Sequence, residues 1–95
     1  MSFATYILGL SNGQYYVGST SNLKRRLEEH KNGRDNFTKK YLPVKLLYYE
    51  EYPSREDAWK REKQLHGWSR IKKEKLISGE WKSLGEFTLS EVEGG

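Results

Sequence analysis

Residues 4–10, ATYILGL, form an uncharged apolar run with a β-branched residue inside it, which predicts a buried strand. Ser11-Asn12-Gly13 follows, and an Asn-Gly pair between apolar stretches is a hairpin signal, so residues 14–19, QYYVGS, are expected to return antiparallel. That hairpin sets Tyr6 and Tyr16 on neighbouring strands. Leu23 and Leu27, one turn apart, predict a helix over about 22–31, with Thr20 or Ser21 as its N-cap and Asn32-Gly33 closing it. Residues 34–43, RDNFTKKYLP, read as a loop or short helix ending at Pro43. Residues 44–52, VKLLYYEEY, make a third strand.

A second helix is expected to open at Pro53-Ser54, where Ser54 and Asp57 stand at capping-box spacing. Ala58, Trp59, Glu62, Leu65 and His66 then recur with helical period. Gly67 interrupts, a further helix runs from about Ser69 to Ile77, and a short piece with Trp81 and Leu84 packs last. The expected fold class is therefore α+β, a small three-stranded antiparallel sheet flanked by helices. One domain spans residues 1–87, and residues 88–95 read as a disordered acidic tail.

Composition narrows the class. At 95 residues there is room for one modest core. No apolar run approaches the roughly 20 residues of a membrane-spanning helix. MSFATYILGL lacks the basic start and long apolar stretch of a signal peptide, and there is no cysteine, so a cytoplasmic protein without disulfides or thiolate metal sites is expected. The net charge of +4 hides an asymmetry: with the three acids of the last ten residues set aside, residues 1–85 carry seventeen bases against ten acids, or +7. Such a domain favours polyanions, although a lysine-rich solvated surface gives the same number.

Three positions ask for more than a core. Gly18, near the end of a strand, allows a bulge or the close approach of something bulky, such as a substrate backbone. Arg26 and His30 share a helix face beside Leu23 and Leu27, where a helix has no structural need for a cation and an imidazole. Glu62 lies between Ala58 and Leu65 on one face of the second helix, and a carboxylate there is costly to desolvate unless a metal ion, Arg26 or another base meets it.

Tyr6 within ATYIL, Tyr16-Val17-Gly18, Arg26, His30 and Glu62 in REKQLHGW resemble, in order and spacing, the GIY-YIG nuclease family over about residues 3–85. Ala4-Thr5 stands where the name-giving pattern has glycine and isoleucine. Ser78, Gly79 and Glu80 precede Trp81 where many relatives carry an asparagine. The resemblance implies hydrolysis of phosphodiester bonds in DNA with one divalent ion, Mg²⁺ or Mn²⁺. By that likeness Glu62 is the metal ligand, Arg26 steadies phosphate charge, Tyr6 and Tyr16 floor the cleft, Tyr16 activates water, and His30 moves a proton or holds the phosphate.

Around such a cleft Gly18, Lys39, Lys40, Lys63, Arg70, Lys72 and Lys73 are the expected nucleic-acid contacts, joined by Lys60, Arg61 and Lys75 in a basic rim. Phosphate contacts of that kind give affinity without sequence choice, so structure-selective or weakly sequence-selective cleavage is expected, with room for a protein partner to supply specificity. Tyr41, Trp59 and Trp68 are either stacking platforms or core. The alternative functions are an inactive nucleic-acid-binding module of the same fold and a protein-interaction domain.

Overall fold

The computed structural model describes residues 2–79. Strand β1, Phe3–Gly9, and β2, Tyr15–Thr20, form the hairpin; α1, Leu23–Lys31, follows; a 3-10 turn occupies Thr38–Tyr41; β3, Lys45–Tyr52, returns to the sheet; and α2, Arg55–His66, and α3, Arg70–Ser78, complete the order. The sheet is antiparallel with order β2-β1-β3, as an α+β reading requires. The expected packing of Trp81 and Leu84, the acidic tail and Glu80 lie outside the described residues.

Local chemistry accounts for the boundaries. Gly13 takes φ 87° in the hairpin, a conformation that costs glycine nothing. The cap of α1 is Asn22, whose side chain accepts from the Arg25 amide, rather than Thr20 or Ser21. Thr20 is unavailable because it still pairs with Ala4 in the β1–β2 ladder. Ser54 caps α2 through the Asp57 amide, and Ser69 caps α3 through the Lys72 amide.

As the central strand, β1 is buried on both faces. Alternation sends Tyr6 and Leu8 to one side, where they pack with Val44, Leu23 and Leu27, and Ile7 to the other, against Leu65 and Leu76. Thus α1 covers one face of the sheet and α2 with α3 the other. Polar ties help fasten α2: the Thr5 hydroxyl donates to the Ala58 carbonyl at 2.6 Å, and Arg61 forks onto Glu50 of β3 at 2.9 and 3.0 Å. Glu50 also accepts from the hydroxyls of Tyr48 and Tyr52. Arg61, expected on the basic rim, is instead 19% exposed in a charge pair that holds helix to sheet.

Candidate active site

The hairpin register sets Tyr6 opposite Gly18. A β-carbon at residue 18 would lie 2.6 Å from the Tyr6 hydroxyl and 2.8 Å from Cζ, well inside van der Waals contact. The bulky neighbour that Gly18 admits is thus the phenol of the adjacent strand, and Gly18 itself is buried. Tyr16, two residues earlier, shares that face, with its ring centroid 6.5 Å from that of Tyr6 and 5.3 Å from the imidazole of His30.

On α1, His30 is the fully buried residue, deeper than either leucine of its stripe. Its Nε2 lies 3.0 Å from the Tyr6 hydroxyl and its Nδ1 2.8 Å from Thr38 Oγ1. Thr38 in turn donates its hydroxyl, at 3.2 Å, and its amide, at 2.9 Å, to Asp35 Oδ2. An ionised carboxylate only accepts, which sets the direction of the whole chain. The Thr38 hydroxyl points at Asp35, His30 Nδ1–H donates to Thr38, and Nε2 accepts the Tyr6 proton. Burial, reinforced by the charge of Arg26, lowers the His30 pKa, consistent with a neutral ring carrying its proton on Nδ1.

Arg26 closes the other side. Its Nη2 donates to Asp35 Oδ1 at 2.6 Å and its Nη1 to Glu29 Oε1 at 3.1 Å. Burial alone would raise the Asp35 carboxyl, but the Thr38 amide and the Arg26 guanidinium outweigh it and hold the group below its ordinary range. Tyr6 moves the other way, pushed up to about 12 by burial against a partly offsetting pull from Arg26. Burial and then the Asp35 charge raise Tyr16 as well, Arg26 opposes them, and Glu62 adds a smaller upward push.

Glu62 stands on the opposite face of the sheet from Arg26. The β2 alternation that turns Tyr16 and Gly18 toward α1 turns Val17 and Ser19 toward α2, and the Ser19 hydroxyl donates to Glu62 Oε1 at 2.6 Å. His66, one turn on, lies 3.4 Å from Oε2. The countercharge expected from Arg26 is therefore absent from Glu62, since Asp35 and Glu29 engage the guanidinium. The two halves meet at the edge strand β2, which carries Tyr16 on the α1 face and Ser19, the partner of Glu62, on the other.

The Glu62 side chain is 24% exposed, so one carboxylate reaches solvent. Among the described residues no group of three or more His, Asp or Glu side chains comes together as a metal cage. A hard divalent ion that keeps most of its waters fits this donor set, as Mg²⁺ is commonly bound by one or two carboxylates and the substrate phosphate.

The expected basic rim divides in two. Lys39 and Lys40 are exposed on the 3-10 turn beside α1. Lys63 lies on α2, and Arg70, Lys72 and Lys73 on α3, across the sheet. Several of these cations rest on aromatic rings: Lys63 on Trp59 at 4.5 Å, Arg70 on Tyr15 at 4.4 Å and Lys72 on Trp68 at 4.2 Å. Trp68 packs against the α2–α3 core and Tyr41 against the α1 core, whereas Trp59 is half exposed. Sequence reasoning missed Ser19, Asp35 and Thr38. Asp35 stands three residues before Thr38, the spacing of a capped turn, which was the available signal.

A model of the GIY-YIG catalytic domain matches residues 2–75. A UPF0213 protein of Streptococcus pneumoniae serotype 4 is 38% identical over 74 residues, which cover 77% of this chain and 75% of its own length. A UPF0213 protein of Natronomonas pharaonis is 36% identical over 76 residues, covering 79% and 89% respectively. The solution NMR structure of a UPF0213 protein from Bacillus halodurans superposes with a TM-score of 0.55 at 34% identity, covering 82% of this chain and 84% of that one.

Proposed function

The chain belongs to the GIY-YIG family, and from that premise we propose that it is a divalent-metal-dependent endonuclease hydrolysing phosphodiester bonds in DNA, choosing its target by structure or with only weak sequence preference. The observation that carries this reading is the edge strand β2, which sets Tyr16 5.3 Å from His30 on the α1 face and, three residues on, Ser19 on Glu62 at 2.6 Å on the α2 face. A phosphate lying over the β2 edge would have a cation, a phenol and a carboxylate able to hold metal within one short span. No helix among the described residues is long and apolar enough to cross a membrane.

In this reading Arg26 binds the phosphoryl oxygens. A guanidinium has five N–H donors, so bonds to Asp35 and Glu29 leave others for the charge that grows in the transition state. Asp35 and Glu29 fix the plane of that fork in advance. Tyr16, whose pKa burial raises, orients the attacking water as a phenol; it could take that water's proton only after releasing its own to solvent, a loss that the charge of Arg26 and of a bound divalent ion would favour. His30 is buried with both nitrogens engaged, so it acts through Tyr6, holding that hydroxyl as a donor toward Nε2 rather than touching the phosphate. Glu62, aimed by Ser19, would hold the ion with Mg²⁺ or Mn²⁺ chemistry. A divalent ion so held supplies positive charge that acidifies bound water and steadies the leaving oxygen.

The test is nicking of supercoiled and branched DNA by the parent, Glu62→Ala and Arg26→Ala. Cleavage by the parent alone, abolished by chelation of the metal, is the expected result. Binding to DNA without metal-dependent nicking would select the inactive binding module. No binding at all would select a protein-interaction domain.

A further inference from the structure

Two half-exposed aromatic rings flank the candidate site. Phe37 is 50% exposed just before the 3-10 turn, stacked on Tyr16 with centroids 5.8 Å apart and planes at 25°. Trp59 is also 50% exposed, on the α2 face that carries Glu62 and Lys63, residues three and four positions further along. Trp59 lines an open depression of about 530 Å³ together with Ser19, Arg55 and Glu56. Ser19 is the residue that bonds Glu62, so this depression adjoins the proposed metal ligand.

The rings therefore lie on the two faces of the sheet, either side of the β2 edge, one against Tyr16 and one against the Ser19–Glu62 pair. Each is accompanied by exposed cations, Lys39 and Lys40 near Phe37 and Lys63 on Trp59. Leaving large aromatic surface in water is costly, and the pairing of a half-exposed ring with a cation matches one ligand chemistry well: a base with a phosphate attached. A paired, stacked duplex offers neither base face, because its neighbours cover both.

Resting on the nuclease reading above, we propose that the substrate strand is unpaired at the cleavage position, with the bases on either side of the scissile phosphate stacking on Phe37 and Trp59. The substrate class is then single-stranded, flapped or frayed DNA rather than an intact duplex. Stacking would splay the two bases apart over the β2 edge and expose the phosphate between them to Arg26 and Glu62.

The experiment is fluorescence anisotropy of a labelled single-stranded oligodeoxynucleotide and of the blunt duplex of the same sequence, with the full chain in EDTA so that no cleavage intervenes. The parent is expected to bind the single strand more tightly. Trp59→Leu and Phe37→Leu should each weaken single-strand binding about tenfold while leaving duplex binding unchanged, the scale of one lost base–aromatic stack. Trp59→Phe and Phe37→Tyr should retain the preference, and circular dichroism should show all four variants folded.

Equal or tighter duplex binding by the parent, unchanged single-strand binding in the leucine variants, or equal weakening toward both DNAs would overturn the proposal. Nicking on the same oligonucleotides separates the two readings. A single-strand preference without metal-dependent nicking leaves the stacking site and removes the nuclease. Nicking without that preference does the reverse.

Discussion

Arg26 Nη2 donates to Asp35 Oδ1 at 2.6 Å, and this bond joins the solvent-reaching guanidinium of α1 to a buried chain that ends on the Tyr6 hydroxyl. Asp35 is 12% exposed, so its removal leaves a guanidinium without its most buried partner. Asp35→Asn keeps the shape and discards the charge. It should lower kcat for DNA nicking by about 10–100-fold with a much smaller change in KM, because positioning of Arg26 serves the transition state more than binding. Steady-state kinetics decide it, and equal loss in kcat and affinity would mean a damaged fold instead.

The same carboxylate links stability to acid. Its folded pKa is lowered, so the stability it contributes is fully present above its ordinary value of 3.8 and is lost as pH falls through the folded value. Chemical denaturation of the parent should weaken steadily below about pH 4. In Asp35→Asn the share of that slope due to residue 35 should be missing.

His30 titrates in a higher window. Burial lowers its pKa from the ordinary 6.5, so below that pH the unfolded chain takes up a proton that the folded chain resists. Stability should be full above pH 6.5 and decline as pH falls from there toward the folded value. His30→Asn should remove that segment of the profile, while also lowering stability at neutral pH by about 1–3 kcal/mol through the bonds lost to Tyr6 and Thr38. A flat parent profile between pH 7 and 5 would refute the buried neutral imidazole.

Gly18→Ala tests the close packing of the hairpin. The new methyl would stand 2.6 Å from the Tyr6 oxygen, and that oxygen is tied to His30, so the ring cannot simply swing away. A destabilisation of about 1–3 kcal/mol is expected from thermal melts. Nicking should fall with it, since any relief shifts Tyr6 or β2.

Ser19→Ala should act on the metal alone. Ser19 holds one oxygen of Glu62 at 2.6 Å, and loss of such a supporting bond typically weakens metal affinity by about 10–100-fold. The Mn²⁺ concentration giving half-maximal nicking should rise accordingly, with the plateau rate at saturating metal little changed.

Much of the scaffold was legible along the chain because strands and helices announce themselves locally. The uncharged run of β1, the Asn-Gly turn and the Leu23–Leu27 stripe each depend on neighbours a few residues away. The ordered set of Tyr6, Tyr16, Gly18, Arg26, His30 and Glu62 could likewise be read as a family pattern. Partnership could not. Period gives the face a residue occupies on its own element, but the sheet order β2-β1-β3 decides what that face meets. With α1 on one face of that sheet and α2 on the other, Arg26 is left to Asp35 in the segment after α1 and Glu62 to Ser19 of β2. The same packing turns Arg61 inward onto Glu50, away from the basic surface. Asp35 and Thr38 come from a stretch with no hydrophobic period, and only the folded chain carries their side chains to His30. Local interactions set the elements, and long-range packing chose which charges would be neighbours.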